Sequence, residues 1–135
     1  GLPESVIDLI GQHHGNTVVR YFYSEAQKLD PDVQEKDFRY PQKKPQSREA
    51  AVLMLADSVE AAVRSAGGKL SAGQIEGVVH KIIQQKLADG QFSECPVTFR
   101  DLHETGEVFS RMLCGIYHKR IEYPDSKELK EGGNA

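Results

Sequence analysis

"SREAAVLMLADSVEAAVRS", residues 47–65, constrains this chain more than any other stretch. It holds neither glycine nor proline, and Ala, Leu, Met and Glu dominate it, all strong helix formers. Ser47 suits the N-cap and Gly67-Gly68 the stop. The remaining chain must supply partners for this helix, and it supplies further helices. Ser71 with Gln74 three residues later is a capping box. It opens a helix through Ile75, Val78, Val79, Ile82, Ile83 and Leu87 that Asp89-Gly90 ends. Thr98 and Asp101 open a last helix through Leu102, Val108, Phe109, Met112, Leu113 and Ile116, reaching Arg120. Upstream, Leu2-Pro3-Glu4 suits a helix start, followed by Val6, Ile7, Leu9 and Ile10 at helical spacing. A second helix is predicted from Thr17 to Lys28, ended by Leu29-Asp30-Pro31. There are no alternating strand runs and no internal repeats, so the class is all-α, a bundle of about five helices.

The chain has 135 residues, enough for one domain with a real core. Its 39% hydrophobic and 27% charged residues are ordinary for a soluble domain. A net charge of −3 argues against a general DNA or RNA binder, which is usually basic. Cys95 and Cys114 are too few for a disulfide framework or a CxxC metal site and read as reduced core thiols in a cytosolic setting. No apolar run approaches the ~20 residues that cross a bilayer, and no signal peptide opens the chain, so any membrane anchor lies outside this piece. Residues 1–124 form the domain. Residues 125–135, polar and glycine-rich, read as a flexible tail.

Three places carry candidate chemistry. In "GQHHGNT", His13 lies four residues after Leu9 and His14 four after Ile10, so both imidazoles lean toward the apolar side of the first helix. Adjacent helical residues point ~100° apart and reach one metal only where the helix ends, an end that Gly15 supplies. The stretch alone also reads as a polar terminus with one histidine packed and one exposed. Asp57 stands in "MLADSVEAA", where a carboxylate needs a partner or a metal unless it faces outward. Arg64, two turns on, shares its stripe and could face a phosphate in the same cleft, or form a charge pair. The loop "DFRYPQKKP" offers Arg39, Lys43 and Lys44 to phosphate and Phe38 and Tyr40 to a base, or is a structural loop pinned by its aromatics. His80, His103 and His118 lack a second histidine at helical spacing and read as surface or hydrogen-bonded histidines.

"QHHGNTVVRYFYSEA", "EKDFRYPQKKPQSREAAVLMLADSVEAAVRS" and "GIYHKRIEYP" together resemble the cytoplasmic HD domain of the seven-transmembrane-receptor HD hydrolases, a family that includes the PgpH-type cyclic di-AMP phosphodiesterases. The resemblance runs from Leu2 to Pro124. It implies a helical domain with two divalent metal ions, iron or manganese. His13 and His14 would bind one ion and Asp57 the other, with Arg39, Tyr40, Lys43 and Arg64 near the substrate. The family's "RYPGPKP" reads "RYPQKKP" here, with Gln42-Lys43 in place of Gly-Pro. No adjacent His-Asp pair occurs in the chain. The resemblance therefore implies the C-terminal part of an HD domain, whose first helices, His-Asp pair included, precede Gly1.

In function, the resemblance implies a metal-dependent phosphodiesterase that opens cyclic di-AMP to a linear dinucleotide with metal-activated water. Segments outside the chain would set it on the cytoplasmic side of a bacterial membrane. The alternatives are an HD phosphohydrolase on cyclic di-GMP or a mononucleotide, and a non-catalytic helical regulatory domain. The isolated chain is expected to be inactive, to bind metal weakly if at all, and to self-associate as a dimer through apolar faces of its first and third helices.

Overall fold

Local signals set the three long helices. The structure, a computed structural model, describes residues 1–67 and 69–121, with side chains through residue 117. Helix α3 (Arg48–Ser65) starts where the Ser47 hydroxyl accepts the Ala50 N–H at 3.1 Å. Helix α4 (Ala72–Ala88) starts at a full capping box: Gln74 N–H donates to the Ser71 hydroxyl (3.2 Å) and Ser71 N–H to the Gln74 side chain (2.9 Å). Helix α5 (Phe99–Ile121) has the same reciprocal pair between Thr98 and Asp101. Such caps are each worth about 1 kcal/mol. Gly90, at φ +73, ends α4, with Gly90 N–H donating to the Leu87 carbonyl and Gln91 N–H to the Lys86 carbonyl. This double closure satisfies the orphan carbonyls of the last turn.

The core lies among these helices. From α3, Ala51, Met54, Leu55, Val59 and Val63 meet Ile75, Val79 and Ile83 of α4 and Leu102, Leu113 and Tyr117 of α5, with Phe92 closing one end. Gly106 lets α5 approach α4 closely, since a side chain there would begin 3.1 Å from Ile83 Cδ1. Cys95 and Cys114 are free thiols, partly buried against this core rather than at its centre.

The N-terminal elements differ from the sequence expectation. Helix α1 (Glu4–Gln12) stops before the two histidines, which lie beyond it in a turn. Helix α2 (Arg20–Leu29) begins three residues later than Thr17. Val19 N–H donates to the Phe38 carbonyl (2.7 Å) and Tyr40 N–H to the Thr17 carbonyl (3.0 Å), and Val18 pairs with Arg39 as an isolated antiparallel bridge. The β-branched run Thr17-Val18-Val19 is thus held extended by the loop, which contains a short 3-10 turn at Glu35–Phe38. Neither α1 nor α2 buries any residue. Leu2, Val6, Ile7, Ile10, Tyr21, Phe22 and Leu29 are exposed, whereas α3 buries one face and leaves Leu53 as its large exposed apolar residue. Among the described residues no helix is long and apolar enough to cross a membrane. The side chain of His118 and the tail 125–135 lie outside the described residues.

Candidate metal centre

His13, His14 and Asp57 converge. One potential ligand atom from each lies within 4.8 Å of the other two, the single such group among the described residues. Asp57 projects from the middle of α3, and the histidines stand on the turn that follows α1.

Each side chain is oriented by something specific. His13 Nδ1 lies 2.6 Å from the Ile10 carbonyl, which can only accept. In the neutral ring Nδ1 therefore carries the proton, and Nε2 keeps a lone pair for a ligand. The His14 ring stacks on Tyr40 at 4.8 Å and 10°, and touches the His13 ring at 3.9 Å. Its Nδ1 stands 3.7 Å from Asp57 Oδ2. Burial, and then the charge of His13, hold the His14 imidazole below its ordinary 6.5, against the pull of Asp57. The neutral ring is the form a metal takes. The Asp57 side chain is 49% exposed, so the cluster opens to solvent on its carboxylate side. Two imidazoles and a carboxylate make a nitrogen–oxygen set of the kind divalent first-row metals accept, and these residues fit such an ion. Three donors leave coordination positions to be filled from elsewhere.

The turn is tied down from beneath. Gly15 is buried at φ +54, and a side chain there would begin 2.5 Å from Gln91 Oε1 and 2.7 Å from Met54 Cε. The Thr17 hydroxyl donates to the His14 carbonyl. Gln46 N–H donates to the Gln12 side chain at 2.9 Å, joining the end of α1 to the start of α3.

The other sequence candidates fall in different places. Arg39 spends its guanidinium inside the protein, on Asp89 (2.9 and 3.2 Å), Glu35 (2.8 Å) and the Asn16 carbonyl (3.0 Å). Tyr40 reaches the cluster by stacking on His14. Lys43 is exposed and has no hydrogen bond or ion pair among the described residues. Arg64 does not join the cluster; its side chain is 68% exposed and pairs with Glu60 at 3.3 Å. His80 and His103 are exposed, and His103 pairs with Glu107 at 3.4 Å. Lys86 at the end of α4 was missed. It is half-buried within electrostatic reach of Asp57 and His14, and burial lowers its ammonium below the usual lysine range. Asn16, Asp89 and Gln91 were missed too, and no local signal marks them.

No family model matches the chain. It is 46% identical over 129 residues to the Cyclic-di-AMP phosphodiesterase PgpH of Bacillus subtilis (strain 168), covering 95% of this chain and 18% of that protein. It is 43% identical over 127 residues to the protein of the same name from Listeria monocytogenes, covering 94% and 18%. The chain thus spans less than a fifth of these relatives. Its fold matches the crystal structure of the L. monocytogenes phosphodiesterase PgpH HD domain in complex with Cyclic-di-AMP, with a TM-score of 0.82 and 40% identity over 86% of this chain and 54% of that one. The structure of that HD domain described without the nucleotide gives a TM-score of 0.80 and 39% identity. In sequence and in fold alike, the chain is similar to part of the HD domain of the PgpH phosphodiesterases.

Proposed function

We propose that this chain supplies part of the metal centre of a phosphodiesterase that hydrolyses a cyclic dinucleotide, cyclic di-AMP, to a linear product. The carrying observation is the meeting of His13, His14 and Asp57 within 4.8 Å in a chain 46% identical to a cyclic-di-AMP phosphodiesterase. Residues 1–124 are read as the C-terminal portion of an HD domain, and the protein they belong to as anchored on the cytoplasmic side of a bacterial membrane by other segments.

His13 and His14 are the nitrogen ligands and Asp57 the oxygen ligand of a pair of divalent ions, iron or manganese. Such ions, when bound, lower the pKa of water and offset charge on phosphate oxygens. The Ile10 carbonyl fixes the His13 tautomer and Tyr40 fixes the plane of His14. Asp57 contributes a negative charge that offsets part of the ion's, and its exposure leaves an approach for a nucleotide. Lys86, within electrostatic reach of Asp57, and the exposed Lys43, on the loop, would offer positive charge to phosphate. Arg39 holds the loop and Arg64 lies on the outer surface of α3, so neither is assigned to substrate.

The test is turnover of cyclic di-AMP with Mn²⁺ or Fe²⁺ by a longer protein that carries this chain and the rest of an HD domain. Asp57→Ala should lower kcat at least ~100-fold, beyond the usual cost of disturbing an outer-shell group. Absence of turnover with either metal, or an unchanged rate in Asp57→Ala, overturns the reading. A panel with cyclic di-GMP and mononucleotides decides the base. The 135-residue chain alone, with three donors, should show no turnover.

A further inference from the structure

The two histidines stand between helices that bury nothing. Core packing of α1 and α2 therefore does little to fix their turn, yet a metal site tolerates only about 0.5 Å of misplacement. The turn is instead gripped from the far end of α4. Gln91, fully buried, donates its Nε2 to Asn16 Oδ1 at 2.8 Å, across 75 residues of sequence, and to Asp89 Oδ2 at 2.8 Å. Asp89 receives both arms of Arg39, and one of those arms also donates to the Asn16 carbonyl at 3.0 Å. Asn16 is thus bound through its side chain and its backbone by one closed network. Gln91 Oε1 is buried without a hydrogen-bond partner and lies against Gly15, where a side chain would begin 2.5 Å away. The amide therefore acts as a wall behind the turn as well as a donor to it. Met54 Cε forms the second wall.

We propose that Asp89 and Gln91 are positioning residues for the metal ligands: acting through Arg39 and Asn16, they hold the His13–Asn16 turn against α3 so that both imidazoles reach Asp57. The inference rests on the metal-binding reading above. Neither residue is a metal ligand or a substrate contact. Their anchorage is the closed end of α4, where Gly90 turns the chain so that residues 89 and 91 face the turn together.

The test uses the whole 135-residue chain and Mn²⁺ alone, followed by paramagnetic broadening of the histidine ring signals in NMR. Broadening in the parent chain should appear first at His13 and His14. Asp89→Asn and Gln91→Leu should each need about tenfold more Mn²⁺ for the same effect, with helical content retained. Glu107→Gln, which removes a carboxylate from a remote pair, should match the parent. Asp89→Asn is isosteric and carries the test should Gln91→Leu fail to fold. Equal Mn²⁺ requirements in parent and variants overturn the proposal and leave the metal reading intact. If Mn²⁺ does not localise at the histidines in the parent chain, its three donors are too few to hold the ion alone, and the metal reading is decided by turnover in the longer protein. The positioning claim is then decided by amide order parameters of residues 13–16 without metal. A fall in the variants while α3 to α5 keep theirs supports it, and unchanged values overturn it.

Discussion

Gly15 has two constraints at once, a left-handed backbone and walls at contact distance. Replacing glycine by alanine usually stabilises a protein slightly through the unfolded chain, by about 0.4–1 kcal/mol. Here the sign reverses. The φ of +54 strains any L side chain, and the new Cβ would meet Gln91 Oε1 at 2.5 Å and Met54 Cε at 2.7 Å. Left-handed backbone costs roughly 1–2 kcal/mol and overpacking roughly 1–3. Gly15→Ala should therefore lose about 2–4 kcal/mol in urea unfolding, and an unchanged or raised midpoint contradicts the geometry. Asp89 makes a second prediction at this scale. Hydrogen bonds from Arg39 are the largest cause holding its carboxyl below 3.8, with Gln91 adding to them and burial opposing. A carboxylate depressed in the fold contributes stability that is complete above its unfolded pKa, about 3.9, and is lost as pH falls through the folded value. Urea midpoints of the parent chain should fall below pH 4, and Asp89→Asn should be less stable at pH 6 but lose less over the same acid range. Parallel curves for the two proteins would mean that Asp89 is not linked to folding.

At the scale of elements, what the sequence discloses depends on how far apart the interacting groups are. The capping pairs Ser71–Gln74 and Thr98–Asp101 are three residues apart, and both were legible as helix starts. Ser71→Ala should cost about 1 kcal/mol in thermal or urea unfolding without changing the core, and no measurable loss would mean that water serves the freed N–H groups as well. The start of α2 was not legible, because Thr17 and Val19 take their hydrogen bonds from residues 38 and 40. The histidine pair and Asp57 were legible as unusual residues, one beside a helix stop and one in an apolar helix. Their tether was not, since the tie from Asn16 to Gln91 spans 75 positions. Arg39 shows the same limit. Its charge suggested phosphate, and only the fold reveals a carboxylate already in its fork. The stripe linking Asp57 to Arg64 was geometrically sound but said nothing of Glu60, one turn away and able to claim the guanidinium.

Across the described residues, the core belongs to α3, α4 and α5, while α1 and α2 contribute an apolar surface that no described residue buries. Helical periodicity announces such a face without naming what packs on it. Val6, Ile7 and Ile10 on α1, with Leu2 before it and Tyr21 and Phe22 on α2, are all exposed. A soluble monomer seldom keeps so many large apolar groups in water. The chain should therefore associate with itself as concentration rises, as a dimer in light scattering or sedimentation equilibrium. Ile7 and Ile10 are each 54% exposed and outside the core, so replacing both by glutamate removes apolar surface without opening a cavity. The double variant should be monomeric where the parent is dimeric, and after dilution of both to monomer its urea midpoint should match the parent's. A parent chain that stays monomeric at high concentration would show that α1 and α2 tolerate their exposure. A variant that still dimerises would move the contact to another face, such as the α5 stripe of Val108, Met112 and Ile116, also exposed.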